Sequence, residues 1–343
     1  MSYFKVFALR EEKVFSLRET GVTGLNFKTK KAKGLDDFIK VIQERLDEIE
    51  KGNIKGDIIF FVVPEYVYPI SKVVKGRITA GRIPEGTRVL VGIQKVSPEV
   101  SFEALDSKEE VEHTGESVSA RFADPTLGTK AALNAHSETF DPDAIVKETD
   151  FIAAHRIFHS LRHFPLSVVA VGETSLQRQA GSDTYINEVQ MQLVNRLMLL
   201  LVSRRNAFLD VLRIPEKQRA FFIAESERIL RGLESGEIEL VIAYEPIWSI
   251  GERAVGKATP KEAKEMLVPM FRTLVELFGL DIALKIRFQY GGSLDAEKAG
   301  SFAEIEDTAE LTDGKVRVFY HGGLVGGAAY KAGANKISEA FNR

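Results

Sequence analysis

The chain has 343 residues, 44% of them hydrophobic and 28% charged, which is enough apolar material for one large α/β domain or two smaller ones. Its 46 basic and 49 acidic residues leave a formal charge of -3, so nothing in the balance favours a nucleic-acid backbone or an anionic membrane as partner. Cysteine is absent, which excludes disulfides, thiolate metal sites and a cysteine nucleophile.

Residues 1–20 read as an N-terminal extension, and MSYFKVFALREEKVFSL meets charges too early for a secretory segment. Val22–Phe27 follows as a weak strand, then a helical pattern over Leu35–Glu50 and strong strands at Asp57–Val63 and Arg88–Ile93. Lys130–Asn134 is a second weak strand. The period over Asp143–His163 is helical, with His155, His159 and His163 on one face, a solvated or packed stripe rather than a metal site. A strand at Leu166–Val171 precedes a helix over Thr184–Val202, whose apolar run Leu197–Val202 is far too short to span a bilayer. Residues 204–237 read as a helical insertion of structural or oligomeric role. The remaining elements are strands at Leu240–Tyr244, Leu284–Gln289 and Val316–Tyr320, with helices at Lys261–Phe278 and Asp295–Glu304. Repeated strand–helix units imply a parallel sheet covered by helices, and eight such strands close a (β/α)8 barrel. A barrel of this kind needs about 250 residues, so roughly 90 are surplus, accommodated as enlarged loops and the helical insertion of a single domain over 1–343. A cytoplasmic protein is expected.

In such barrels chemistry gathers where strands end and the following loops begin. AYEPIWSIG places Glu245 at a strand tip, followed by a Pro-Ile-Trp hinge and a lid-like stretch, Ser249–Lys257. NAHSE places His136 at another tip, with Ser137 opening the next turn. LNFK gives Asn26 and Lys28, which strand alternation puts on one side. QYGGSL and HGGLVGGAAY are glycine-rich turns whose backbone N–H groups suit a phosphate.

These segments, together with GETSLQRQAG and in this chain order, closely resemble those of the triosephosphate isomerase family, from about Val22 to the C-terminus between insertions. The resemblance implies a TIM barrel that moves a proton between adjacent carbons of a small phosphorylated sugar, interconverting dihydroxyacetone phosphate and glyceraldehyde 3-phosphate in glycolysis and gluconeogenesis. It implies Glu245 as the base, neutral His136 as the group polarising the carbonyl, Lys28 as a fixed cation, Asn26 as an added donor and Glu138 as the acid that orients this group. Phosphate would meet backbone N–H groups at Gly251, Ser293, Gly326 and Gly327, beneath a closing lid that excludes water. No metal or organic cofactor is required. A homodimer is implied, with TGES at Thr114–Ser117 reaching into the neighbouring subunit.

The sequence also departs from the family. Thr139 and Phe140 stand where arginines are usual, Phe27 replaces a tryptophan, and the lid IGERAVGKATP is lengthened and carries Glu252 and Arg253. Insertions lie between Gln94 and Thr114 and between Ser293 and Gly326. A roomier lid admits an alternative with the same mechanism on a larger ketose or aldose phosphate, such as a tetrulose phosphate. A catalytically inactive barrel used for binding or assembly is a second alternative, which predicts loss of the base, the histidine or the lysine. An aldolase would want a buried Schiff-base lysine, for which only Lys285 and Lys130 are candidates, without a supporting motif.

Overall fold

A computed structural model describes residues 13–27, 34–94, 129–134, 150–212, 214–250, 254–312 and 314–342. After the short strand β1 (Val14–Ser16), the chain runs through β2 (Val22–Asn26), α1 (Leu35–Lys51), β3 (Gly56–Val62), α2 (Val67–Thr79), β4 (Thr87–Ile93), β5 (Thr129–Asn134), α3 (Asp150–His163) and β6 (Leu166–Val171). Next come α4 (Ser175–Gln179), α5 (Ser182–Leu197), α6 (Ala207–Val211), α7 (Glu216–Ser235), β7 (Glu239–Tyr244), α8 (Pro260–Phe278), α9 (Leu280–Ala283) and β8 (Arg287–Tyr290). The chain ends through α10 (Ala299–Ala303), β9 (Glu306–Leu311), β10 (Gly314–Phe319), β11 (Gly322–Val325) and α11 (Asn335–Ala340). Eight parallel strands close a barrel in the order β11-β2-β3-β4-β5-β6-β7-β8. The protein is a (β/α)8 TIM barrel.

Strands such as GDIIFFV and LSVVAV are buried on both faces, as parallel strands under helices must be, and therefore appear as continuous apolar runs. The helices supply one apolar stripe each: in α1, Phe38, Ile42, Leu46 and Ile49 are buried at helical spacing, with Asp36 and Asp37 at the positive end and Lys51 at the negative end. Inside the barrel, Val22, Ile59, Phe61, Ala131, Leu133, Leu166, Val168, Val241, Ala243 and Leu324 pack together. Phe61 fills much of this space because Gly24 and Gly92 yield to it; a Cβ on either would come within 2.8 Å or 2.6 Å of its ring.

Three sequence expectations need correction. Val316–Tyr320 is not the eighth barrel strand. It lies largely in β10, which pairs antiparallel with β9 and parallel with β1 in a separate three-stranded sheet. That sheet packs on α8, where Tyr320 Oη donates to the Ala263 carbonyl at 2.7 Å and Arg272 donates to the Glu310 carbonyl at 3.2 Å. The barrel is closed instead by β11, GGLV, whose glycines are poor strand formers but necessary, since a Cβ on Gly322 would overlap the Val22 carbonyl. The hairpin turns at Gly314, with φ 145°, a conformation that favours glycine. Second, β8 begins at Arg287 and not Leu284, because α9 occupies Leu280–Ala283 after the left-handed Gly279. Third, the helix expected over Asp295–Glu304 is confined to Ala299–Ala303.

Within 204–237, α6 and α7 lie against the barrel helices. Phe222 of α7 meets Phe158 at 5.0 Å and His155 at 5.5 Å between ring centroids, so the histidine stripe of α3 is packed, with His155 and His159 buried. Burial, helped by the neighbouring His159, pushes the His155 imidazole down to about 3. At the N-terminal end of the barrel, Arg287 is only 1% exposed. Its guanidinium lies 2.7 Å from Asp57 and 2.5 Å from Glu239. Arg88 bridges the same two acids at 2.7 Å each, and Arg18 adds a contact to Glu239 at 3.0 Å. Burial pushes the Asp57 carboxyl up, but the hydrogen bonds and charges of Arg88 and Arg287 outweigh it, so this acid sits below the usual carboxylate range. No helix among the described residues is long and apolar enough to cross a membrane.

Candidate active site

Strand alternation fixes which side chains reach the mouth of the barrel. In β7, Val241 and Ala243 line the interior, so Glu245, just past the strand, takes the next inward position; in β2, Val22 and Gly24 precede Asn26 in the same way. Glu245 is 8% exposed, and its N–H donates to the Val171 carbonyl at 2.7 Å, continuing the β6–β7 ladder. It is seated closely between neighbouring strand ends. A Cβ on Gly172 would overlap its carbonyl, and one on Gly291 would overlap its Cγ. Thus the first glycine of YGGSL makes room for the carboxylate side chain.

Past Glu245, Ile247–Ser249 forms a single 3-10 turn held from below by Glu173, which is wholly buried after β6. The Glu173 carboxylate accepts from Tyr244 Oη at 3.1 Å and Trp248 Nε1 at 2.8 Å, while its carbonyl accepts from the Ile247 N–H at 3.0 Å. Burial, with the adjoining Glu173 charge, raises the Tyr244 phenol well above its ordinary value, so it remains a donor. Arg178 approaches Glu173 at 3.5 Å and Glu262 at 3.2 Å, and lies over the Trp248 ring at 5.7 Å. The far side of the loop is anchored by a capping box, in which Thr259 Oγ1 accepts from the Glu262 N–H and Glu262 accepts from the Thr259 N–H. Both ends of the lid-like stretch are therefore fixed, one by a buried carboxylate and one by a helix start.

Ser293, after β8, donates from Oγ to the Ser249 carbonyl at 2.6 Å, tying the turn of YGGSL to the hinge. Gly326 and Gly327 follow β11 and open the 3-10 turn Gly327–Tyr330, with open space where a Cβ of Gly326 would stand. Because β7, β8, β11 and β2 are consecutive in the barrel, Glu245, Ser293, Gly326, Gly327 and Asn26 occupy one continuous arc of its C-terminal rim. Lys28, Thr114, His136, Glu138 and Gly251 lie outside the described residues. Lys285 and Lys130 are exposed, so neither meets the buried-amine requirement of an aldolase. Glu173 and Gln94, whose Nε2 donates to Asn26 Oδ1 at 2.6 Å, are not among the sequence candidates. The signal for Gln94 is its parity with Leu90 and Gly92, and that for Glu173 its place in GETSLQRQAG. Among the described residues no three His, Cys, Asp or Glu side chains are grouped to hold a metal ion.

A sequence model described as triosephosphate isomerase matches residues 213–340. Triosephosphate isomerase of Caldanaerobacter subterraneus subsp. tengcongensis is 27% identical over 298 residues, covering 86% of this chain and 90% of that protein. The enzyme of the same name from Moorella thermoacetica is 31% identical over 208 residues, 60% of this chain and 62% of the relative. That from Leptospira borgpetersenii serovar Hardjo-bovis is 25% identical over 323 residues, 92% and 97% of the two chains. Over most of its length the chain is thus similar to triosephosphate isomerases. In this chain the stretch matched by the sequence model holds β7, the hinge, β8 and β11, so Glu245, Ser293, Gly326 and Gly327 fall inside it. Asn26 and His136 precede it.

Proposed function

We propose that the protein interconverts dihydroxyacetone phosphate and glyceraldehyde 3-phosphate through an enediolate. The observation that carries this reading is the seat of Glu245, a nearly enclosed carboxylate on the barrel rim, held between Gly172 and Gly291 at the foot of an anchored loop. Glu245 removes a proton from the carbon next to the carbonyl and returns it to the neighbouring carbon, so the reaction is internally balanced and consumes no cofactor. His136 and Asn26 donate to the oxygens on which negative charge grows, Lys28 supplies a fixed positive charge near the phosphate, and Glu138 orients this group. Backbone N–H groups at Gly251, Ser293, Gly326 and Gly327 receive the phosphate. Closure over 249–257 excludes water while the enediolate exists. The protein works as a homodimer in the cytoplasm, in glycolysis and gluconeogenesis.

The test is steady-state conversion of glyceraldehyde 3-phosphate by the wild type, Glu245→Asp and His136→Gln. Rapid turnover that falls by roughly 10²-fold or more in both variants is expected. Wild-type rates indistinguishable from those of both variants would sink the assignment.

A further inference from the structure

On the described part of the rim, Gln94 and Asn26 make a buried side-chain contact that no step of the proposed reaction uses. Gln94 follows β4, whose Leu90 and Gly92 point inward, so it takes the next inward position above the Phe61 ring. Asn26 stands at the same level across β3, above Gly24, which yields to that same ring. The two side chains are 7% and 6% exposed, and Gln94 Nε2 donates to Asn26 Oδ1 at 2.6 Å. A primary amide has an acceptor end and a donor end of nearly the same shape, so only its hydrogen-bond partners decide which way it faces.

We propose that Gln94 is a positioning residue for the reaction: by donating to Oδ1 it holds Asn26 with the Nδ2 end toward the barrel mouth. Asn26 then meets the substrate as a donor. Turned over, the same side chain would present Oδ1 to an oxygen gaining negative charge, and repulsion would replace stabilisation at the moment the barrier is crossed. The backbone also supports this placement, since the Gln94 N–H donates to the Val62 carbonyl at 2.8 Å and fixes the base of the side chain. The role rests on the isomerase reading given above.

The test compares wild type, Gln94→Glu and Gln94→Leu, with thermal melts to establish that each is folded. The ionised carboxylate introduced by Gln94→Glu can only accept, so Asn26 must turn its Nδ2 toward it. We expect kcat to fall roughly 10-fold to 100-fold with a smaller change in KM. In Gln94→Glu alone, kcat should recover as pH is lowered and the carboxyl regains a proton to donate. A kcat in Gln94→Glu equal to wild type at every pH overturns the proposal, as does an equal, pH-independent loss in both variants. A second readout needs no turnover: the Asn26 side-chain amide protons, assigned by their loss in Asn26→Asp, should move downfield in Gln94→Glu as they come to face a carboxylate. Unmoved resonances overturn the pairing. A wild type that leaves triose phosphates unchanged, with the downfield shift present, defeats the isomerase reading and leaves the orientation by Gln94 standing.

Discussion

A Cβ built on Gly291 would overlap Glu245 Cγ, and one on Gly172 would overlap the carbonyl of the same glutamate. The two clashes differ in kind: at Gly291 the severe overlap is with a side chain and the Tyr244 carbonyl stands at 3.3 Å, whereas at Gly172 the severe overlap is with the main chain itself. In Gly291→Ala the carboxylate can swing aside, so the fold survives while the base leaves its position. A displacement on the order of 1 Å costs about 10²-fold in rate, so kcat should drop by that order while the melting temperature moves little. In Gly172→Ala the end of β7 itself must shift, breaking the Glu245 N–H to Val171 bond, so stability should fall together with activity. Steady-state assays paired with thermal melts separate the two. Equal melting losses in both variants would show that Gly291 supports the strand rather than the carboxylate.

At the level of elements, the same logic applies to the added helices and to the loop anchors. The α3–α7 contact holds His155 neutral against Phe222. Its imidazole is pushed down to about 3 in the folded state, whereas an unfolded histidine titrates near 6.5. Between those values the unfolded chain binds a proton that the native one refuses, so this residue subtracts stability as pH falls below about 6.5, by roughly 1.4 kcal/mol per unit. Denaturant titrations should therefore show about 2 kcal/mol more loss from pH 7 to pH 5 in the wild type than in His155→Phe; parallel pH curves would refute this. At the loop anchor, Thr259→Ala removes the cap of α8 and should cost about 1 kcal/mol in the same titration. Which elements are legible follows from how each one is stabilised. Runs such as Asp57–Val63 and Leu240–Tyr244 are visible because a parallel strand buried on both faces has no polar side to show. GGLV is hidden beside the β-branched Val316–Tyr320, since its place in the barrel depends on backbone proximity to Val22 and not on strand propensity. Glu245 and Asn26 stand out at strand tips. Gln94 and Glu173 do not, because their meaning comes from Asn26, 68 residues away, and Trp248, 75 residues away.

Across the whole molecule, the two ends of the barrel are divided between chemistry and stability. The rim carries Glu245 and the glycine turns; the opposite end is closed by Arg287, Arg88, Asp57, Glu239 and Arg18. Arg287 is the enclosed member, and removing it takes from Asp57 and Glu239 their buried partner, leaving them the more exposed Arg88 and Arg18. Breaking a buried pair from one side costs about 3–5 kcal/mol, and Arg287→Met should fall at the lower end because Arg88 still bridges both carboxylates. The kcat of the folded fraction should be unchanged, since the plug lies at the far end from Glu245. Acid gives an independent check on the cause. Asp57 is held below its ordinary range by Arg88 and Arg287, so its contribution is fully present above about pH 4 and disappears as pH falls through the depressed native value. Arg287→Met withdraws part of that depression and brings the native value closer to the unfolded one. The variant, though weaker at neutral pH, should thus lose less further stability between about pH 5 and pH 2.5 than the wild type does. Denaturant titrations at the two pH values decide it: a variant that is weaker at neutral pH yet equally acid-sensitive would mean that Arg287 acts through packing rather than through its charge on Asp57.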